Sequence, residues 1–212
     1  MRQRLRIYLK KVITYIDAFN LYHSIKDLAN KTKGAKEYLK WQDIPQLSRL
    51  FLSRNDEILS IKFFTAYPTW KPDSCNRHKD YVAILEDLGI EVILGHFKKK
   101  EVFCNSCQKQ IKKHEEKQTD VNIATHIMQD IYESNPDIIQ VISGDTDLIP
   151  PIQMAKNKGI FTNIVVPFNR KADAFNPIAD KKSHIKMKHL EQCFIGASYT
   201  MSNGKILTCP YI

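Results

Sequence analysis

The chain has 212 residues, of which 43% are hydrophobic and 26% charged, with few glycines or prolines. That composition fits one globular domain with length left for elaborations, and it excludes a disordered or fibrous protein. A formal charge of +9, from 32 basic against 23 acidic residues, suits a surface that meets a polyanion.

Residues 12–16 form an apolar, β-branched run that predicts a buried first strand, and Asp17 ends it. A helix is expected over 18–29. A second is expected over 43–53, with Asp43 as its N-cap and Ile44, Leu47, Leu50 and Phe51 at helical spacing. Residues 58–66 read as a strand that Pro68 closes. Residues 74–88 carry Tyr81, Ile84, Leu85 and Leu88 on one helical face, and Gly89 is a stop signal. The next strand is expected over 90–97. A lysine-rich insert follows at 98–114. A long helix is expected over 119–133, with Val121, Ala124, Ile127, Met128 and Ile131 as its apolar stripe.

Residues 138–143 predict another strand and 147–158 another helix, with Pro150 and Pro151 tolerated in its first turn. The last clear strand is 160–166. A short helix over 172–179 and a hairpin or arm over 194–212 complete the reading. Repeated β–α units with apolar strands predict a three-layer α/β/α fold around a mainly parallel sheet. The expected organisation is a domain over 1–180 that carries the insert, and a C-terminal extension over 181–212.

The strand-like runs are tipped by carboxylates. Asp17 ends the first, Asp145 and Asp147 follow the run at 138–143, and Asp120 opens the long helix. Each aspartate alone is explained as a helix cap. Together they fall on one edge of one sheet, where open α/β folds place their ligands. Carboxylates meeting there would repel one another unless a cation held them. Gly144 lets the chain turn so that Asp145 and Asp147 can both reach one crevice. Ser143 could orient a carboxylate or contact a phosphate. Asn20, in the first turn after Asp17, could position a water, a phosphate or Asp17 itself. Glu116 would join Asp120 on one helical face if that helix began early. Tyr22 and His23, near Asp17, could line a substrate groove, although Tyr22 is expected in the core.

Oxygen-only ligands point to Mg²⁺ or Mn²⁺, and the implied chemistry is phosphodiester hydrolysis by metal-activated water. A phosphatase using a D-x-D nucleophile fits poorly, because the first strand is followed by Asp17-Ala18-Phe19.

The segments YIDAFNLYH, EEKQTDVNIATHIMQD and VISGDTDLIPPI resemble, in this order, the NYN domain of the PIN-like metal-dependent nuclease superfamily, and its LabA-like group in particular. The resemblance spans about residues 12–167. It implies a PIN-like fold and an endoribonuclease that uses Mg²⁺ or Mn²⁺. It carries the ligand role onto Asp17, Asp120, Asp145 and Asp147, with Asn20 beside them. It leaves open which of Asp145 and Asp147 touches metal. The alternative reading is a nucleic-acid-binding regulator of the same fold that cuts nothing.

Five cysteines, at 75, 104, 107, 193 and 209, are an odd number, and the basic N-terminus lacks a signal-peptide core. Free or metal-bound thiols in the cytoplasm are therefore expected. Cys104 and Cys107 have the spacing of half a zinc site. No apolar run approaches membrane-spanning length. Lys98, Lys99, Lys100, Lys112 and Lys113, around Val102 and Phe103, are candidates for contacts to the backbone of RNA, with DNA as the other substrate class. The C-terminal tail is a candidate for homodimer contacts.

Overall fold

Six parallel strands in the order β3-β2-β1-β6-β7-β8 form the central sheet of the computed structural model, which describes residues 9–104 and 109–212. They are β1 (Lys10–Asp17), β2 (Asp56–Thr65), β3 (Glu91–Leu94), β6 (Ile138–Ile142), β7 (Phe161–Val166) and β8 (Lys181–His184). The chain builds outward from β1 to β2 and β3, then crosses back to place β6 on the other side of β1. The strand order therefore reverses between β1 and β6, and a crevice opens beyond their carboxyl ends.

Parallel strands need both faces covered. On one face, α1 (Ala18–Lys31), α2 (Ile44–Arg49), α3 (Pro72–Asp87) and α6 (Met187–Gln192) bury Leu21, Ile25, Leu47, Leu85 and Leu190 against Ile16, Phe63 and Val165. On the other, α4 (Thr119–Glu133) and α5 (Ile149–Asn157) bury Ile123, Ile127, Ile131 and Ile152 against Ile13, Tyr15, Val141 and Ile164. Alternation along β1 sends Ile13 and Tyr15 to one layer and Ile16 to the other, which is why the run is apolar throughout. The result is the expected three-layer α/β/α fold.

The expected stripe of α4 holds at Ile127, Met128 and Ile131, which pack on the core, but not at its first position. Val121 is 66% exposed, while Ile123 is fully buried. The strand expected over 90–97 is two strands. Gly95 ends β3, and the chain turns into β4 (His96–Cys104), which pairs antiparallel with β5 (Lys109–Lys117) as a separate hairpin. A Cβ at Gly95 would lie 2.7 Å from the Lys117 carbonyl oxygen and 2.9 Å from Thr119 Oγ1, so only glycine lets the two hairpin ends approach there. The helix expected over 43–53 is shorter, but Asp43 caps it as expected, accepting from the Gln46 amide at 2.8 Å.

The boundary expected at residue 180 falls between β7 and the edge strand β8, so 181–184 is part of the sheet. The hairpin expected in the tail is β9 (Ser198–Thr200) with β10 (Ile206–Thr208). It folds back onto its own chain, where Leu207 and Cys209 join Trp41 and Ile84. Cys107 lies outside the described residues, as do the side chains of Cys104 and Lys112, and with them the expected zinc pair. No described helix is long and apolar enough to cross a membrane.

Candidate metal centre

Asp17 sits where β1 passes into α1, and its carboxylate has two local duties. Oδ1 accepts the Asn20 amide at 3.0 Å, capping α1, and Oδ2 accepts the Ser143 hydroxyl at 2.8 Å. Capping therefore coexists with membership of a cluster, since each oxygen keeps a further lone pair. Ser143 follows β6 directly and also accepts the Asp145 amide at 3.0 Å. Its side chain is fully buried, so it orients a carboxylate and presents no surface to a phosphate, contrary to its expected contact role. Asn20 reaches across the crevice, and its Oδ1 accepts the Gly144 amide at 3.1 Å. It ties the loop after β6 to the first turn of α1, and its own amide holds Asp17.

Asp120 is in the first turn of α4, and Asp145 caps a short 3-10 turn (Thr146–Leu148) by accepting the Asp147 amide at 3.0 Å. One carboxylate oxygen each from Asp17, Asp120 and Asp145 lies within 4.8 Å of the others. Asp147 is exposed and stands outside this trio, although its charge still reaches Asp120.

Glu116 does not share a helical face with Asp120, because α4 does not begin early. Glu116 belongs to β5, and its Oε1 accepts the Thr119 amide at 3.0 Å and the Thr119 hydroxyl. It caps α4 from outside. Gln118 at the helix entry adopts φ 78°, a left-handed conformation that costs a non-glycine residue about 1 kcal/mol. The turn from hairpin to helix is thus forced into shape immediately before Asp120.

The electrostatics match a site built for a cation. Burial pushes the Asp17 carboxyl up to about 6, and the charges of Asp120 and Asp145 add to that push against the Asn20 and Ser143 hydrogen bonds. Asp120 is also raised, by burial first and then by Asp145, Glu116 and Asp147. Three hard oxygen donors brought this close fit a small divalent ion, which would relieve the burial and repulsion felt by Asp17 and Asp120.

The expected phosphate contacts lie on the hairpin. Lys98, Lys99, Lys100 and Lys113 are all exposed. Register separates them. Lys99 pairs with His114 and Phe97 with Glu116, on the face toward α1, whereas Lys98 and Lys100 pair with Glu115 and Lys113 on the opposite face. Lys100 is further engaged with Glu115 at 3.8 Å.

A cavity of about 660 Å³, anticipated by no sequence motif, adjoins the trio between α1, α3 and the base of the hairpin. Tyr22 lines it and is 39% exposed, so it is not the core residue expected. The available signal was the aromatic and basic content of the 67–78 segment, which follows β2 onto the same sheet edge.

An α/β/α domain with a carboxylate trio at its switch point has the architecture of a phosphate-processing protein. The chain matches the NYN domain model over residues 11–186 and belongs to that family, a branch of the PIN-like nuclease superfamily. No curated protein sequence matches it. Solved structures that align with it include Acinetobacter baumannii MurG, at 12% identity and TM-score 0.37 over 82% of this chain and 41% of that one. Another is reduced Bacillus anthracis CoADR-RHD, at 10% identity and TM-score 0.23 over 94% of this chain and 42% of that one. The chain spans about two fifths of each, and overlaps this loose carry no argument about fold or function.

Proposed function

We propose that this protein is a metal-dependent endoribonuclease of the NYN family, with Asp17, Asp120 and Asp145 as the ligands of Mg²⁺ or Mn²⁺. The observation that carries this reading is the meeting of three carboxylates within 4.8 Å at the switch point of the sheet. They come from three separate elements, and helix capping accounts for none of their mutual proximity. When bound, the ion supplies an activated water and neutralises charge on the scissile phosphate.

The chain's own residues do the rest. Ser143 and the Asn20 amide hold the Asp17 carboxylate in one orientation. The Asn20 side chain fixes the loop that carries Asp145. Glu116 holds the first turn of α4, and so Asp120, in place. Asp147, exposed beside the trio, is assigned an outer role in orienting water or ligand. Lys99, on the same hairpin face as Phe97 and His114, gives the approaching backbone a positive contact, in keeping with the net charge of +9.

The test is a cleavage assay on single-stranded RNA, structured RNA and DNA with Mg²⁺, Mn²⁺ or EDTA. Internal cuts in RNA that need the ion and vanish in Asp145→Asn support the reading. RNA bound with unchanged affinity but cut under no condition would establish the regulator instead.

A further inference from the structure

The cavity beside the carboxylate trio has a second chemistry. Its floor is the end of β2 at Phe63, Thr65 and Ala66, and Ala18 and Glu116 connect it to the trio, one through its neighbour Asp17 and the other through its charge on Asp120. One wall is aromatic. Trp70 lies flat on His114, with ring centroids 3.9 Å apart and planes 3° from parallel, and Phe97 meets the Trp70 edge-on at 4.6 Å. These rings come from the loop after β2 and from both strands of the hairpin, so their alignment is a tertiary feature.

The other wall is basic. Lys40 lies over the rings of Tyr22 and Tyr211, at 5.4 and 4.8 Å, and is paired with Glu37. Arg77 is different. Its Nη2 donates to the neutral Ser74 hydroxyl at 3.2 Å, and its Nε is buried without an acceptor. Among the described residues no carboxylate pairs with it. A guanidinium beside a cavity, with a buried unsatisfied Nε and held by the Ser74 and Tyr211 hydroxyls instead of a carboxylate, is stabilised by an incoming anion. His78, next in sequence, holds Thr65 Oγ1 at 3.0 Å and is kept neutral by burial, so it adds no charge there.

Flat rings beside a guanidinium without a carboxylate partner match a base attached to a phosphate. The volume of about 660 Å³ falls within the range of small-molecule sites. We propose that this cavity is a nucleotide subsite, which receives one unpaired base of the substrate strand against Trp70 and His114 and its phosphate at Arg77. The assignment rests on the nuclease reading for its link to cleavage, though not for binding itself. It confines cutting to places where the strand is unpaired, because a base in a duplex cannot leave its stack without cost.

Binding is measured apart from chemistry, using Asp145→Asn in EDTA. The probes are the four ribonucleoside 5′-monophosphates, a single-stranded RNA decamer and the same sequence as a duplex. Anisotropy of end-labelled decamer and duplex, and calorimetric titration of the monophosphates, report occupancy in every variant, and thermal melting shows that each is folded. The decamer is expected to bind more tightly than the duplex. Trp70→Ala and Arg77→Gln are each expected to weaken the decamer about tenfold and leave duplex binding unchanged. Monophosphate binding that Arg77→Gln removes would support the subsite even if no RNA were ever cut. Decamer affinity unchanged in both folded variants would overturn it, and would do so even if the protein proved an active nuclease.

Discussion

The Ser143 hydroxyl donates to Oδ2 of Asp17 across 2.8 Å, joining two residues 126 apart in sequence at the carboxyl ends of neighbouring strands. Ile16 and Ile142, the residues before them, are register partners in the β1–β6 ladder, so the bond follows from strand pairing. It also joins the two halves of the switch point, because the same hydroxyl accepts the Asp145 amide. Removing it should matter to the cation more than to the fold. Ser143→Ala is expected to weaken Mn²⁺ binding about tenfold or more, as loss of an orienting partner does at metal sites. Calorimetric titration of Mn²⁺ into the folded variant checks this.

Asp145 and Asp147 separate by position, since only the first belongs to the trio. Asp145→Asn is expected to lower ion-dependent RNA cleavage by at least about a hundredfold, a loss of several kcal/mol of charge stabilisation. Asp147→Asn should cost about tenfold or less, the scale of a residue that acts through a ligand. Single-turnover cleavage rates at saturating Mn²⁺ compare the two, and equal losses would contradict the ligand assignment.

Asp17 links stability to pH. Its folded value of about 6 lies above that of an unfolded aspartate, so the native state holds the proton more tightly. The stabilisation is therefore complete below about pH 4 and is lost as pH rises through about 6. In EDTA the protein should be less stable at pH 8 than at pH 5, with Asp17 contributing about 1 kcal/mol to the difference. Asp17→Asn keeps an N-cap and should flatten the profile. Divalent ion should restore stability chiefly at the higher pH, where no proton competes for the carboxylate. Urea unfolding across pH, with and without Mn²⁺, measures all three.

A buried ion pair supports the sheet behind the site. Lys62 Nζ donates to both oxygens of Asp130 at 2.9 and 2.8 Å, and the Tyr15 hydroxyl donates to Oδ2 at 2.8 Å. Asp130→Ala leaves the buried Lys62 ammonium with only the Glu91 carboxylate at 3.8 Å and the His126 ring at 3.3 Å, and should cost about 3 kcal/mol. The double replacement Lys62→Met with Asp130→Leu should cost much less, because no charge is stranded. Chemical denaturation of both variants tests the difference.

The register of the hairpin sorts its lysines. Lys99 faces the same side as Phe97 and His114, and Lys98 and Lys100 face away. Lys99→Ala should reduce the salt slope of single-stranded RNA binding by about 0.7, the effect of one lost phosphate contact. The paired change Lys98→Ala with Lys100→Ala should leave the slope closer to that of the unaltered protein. Binding titrations over a range of salt concentrations read both.

Much of the fold was legible because its signals are local. The β-branched runs at β1, β6 and β7 can only be satisfied by burial on both faces, and the helices between them carry caps and apolar stripes. Edge elements were less visible. The strand β8 reads Lys-Lys-Ser-His, with no apolar alternation, because it pairs on one side and is partly exposed. The break at Gly95 was hidden inside an apolar run, since what demands a glycine there is the approach of Lys117 and Thr119 from the far end of the hairpin. Only the first member of the α4 stripe was misjudged, as Val121 and Ile123 are equally apolar and only the docked helix tells them apart.

Composition and periodicity were enough to place carboxylates at the ends of buried parallel strands and so to point at one edge of a sheet. They could not say which carboxylates meet. That depended on the order of strands, the forced turn into α4 and the Ser143 bridge, all of which bring together residues about a hundred positions apart. The same holds for the aromatic and basic cavity, whose walls come from the loop after β2, from α3, from the hairpin and from the C-terminus. Burial and helix capping are written into neighbouring residues. The distance between two oxygens on different elements is set by how those elements pack, and no short stretch of chain encodes it.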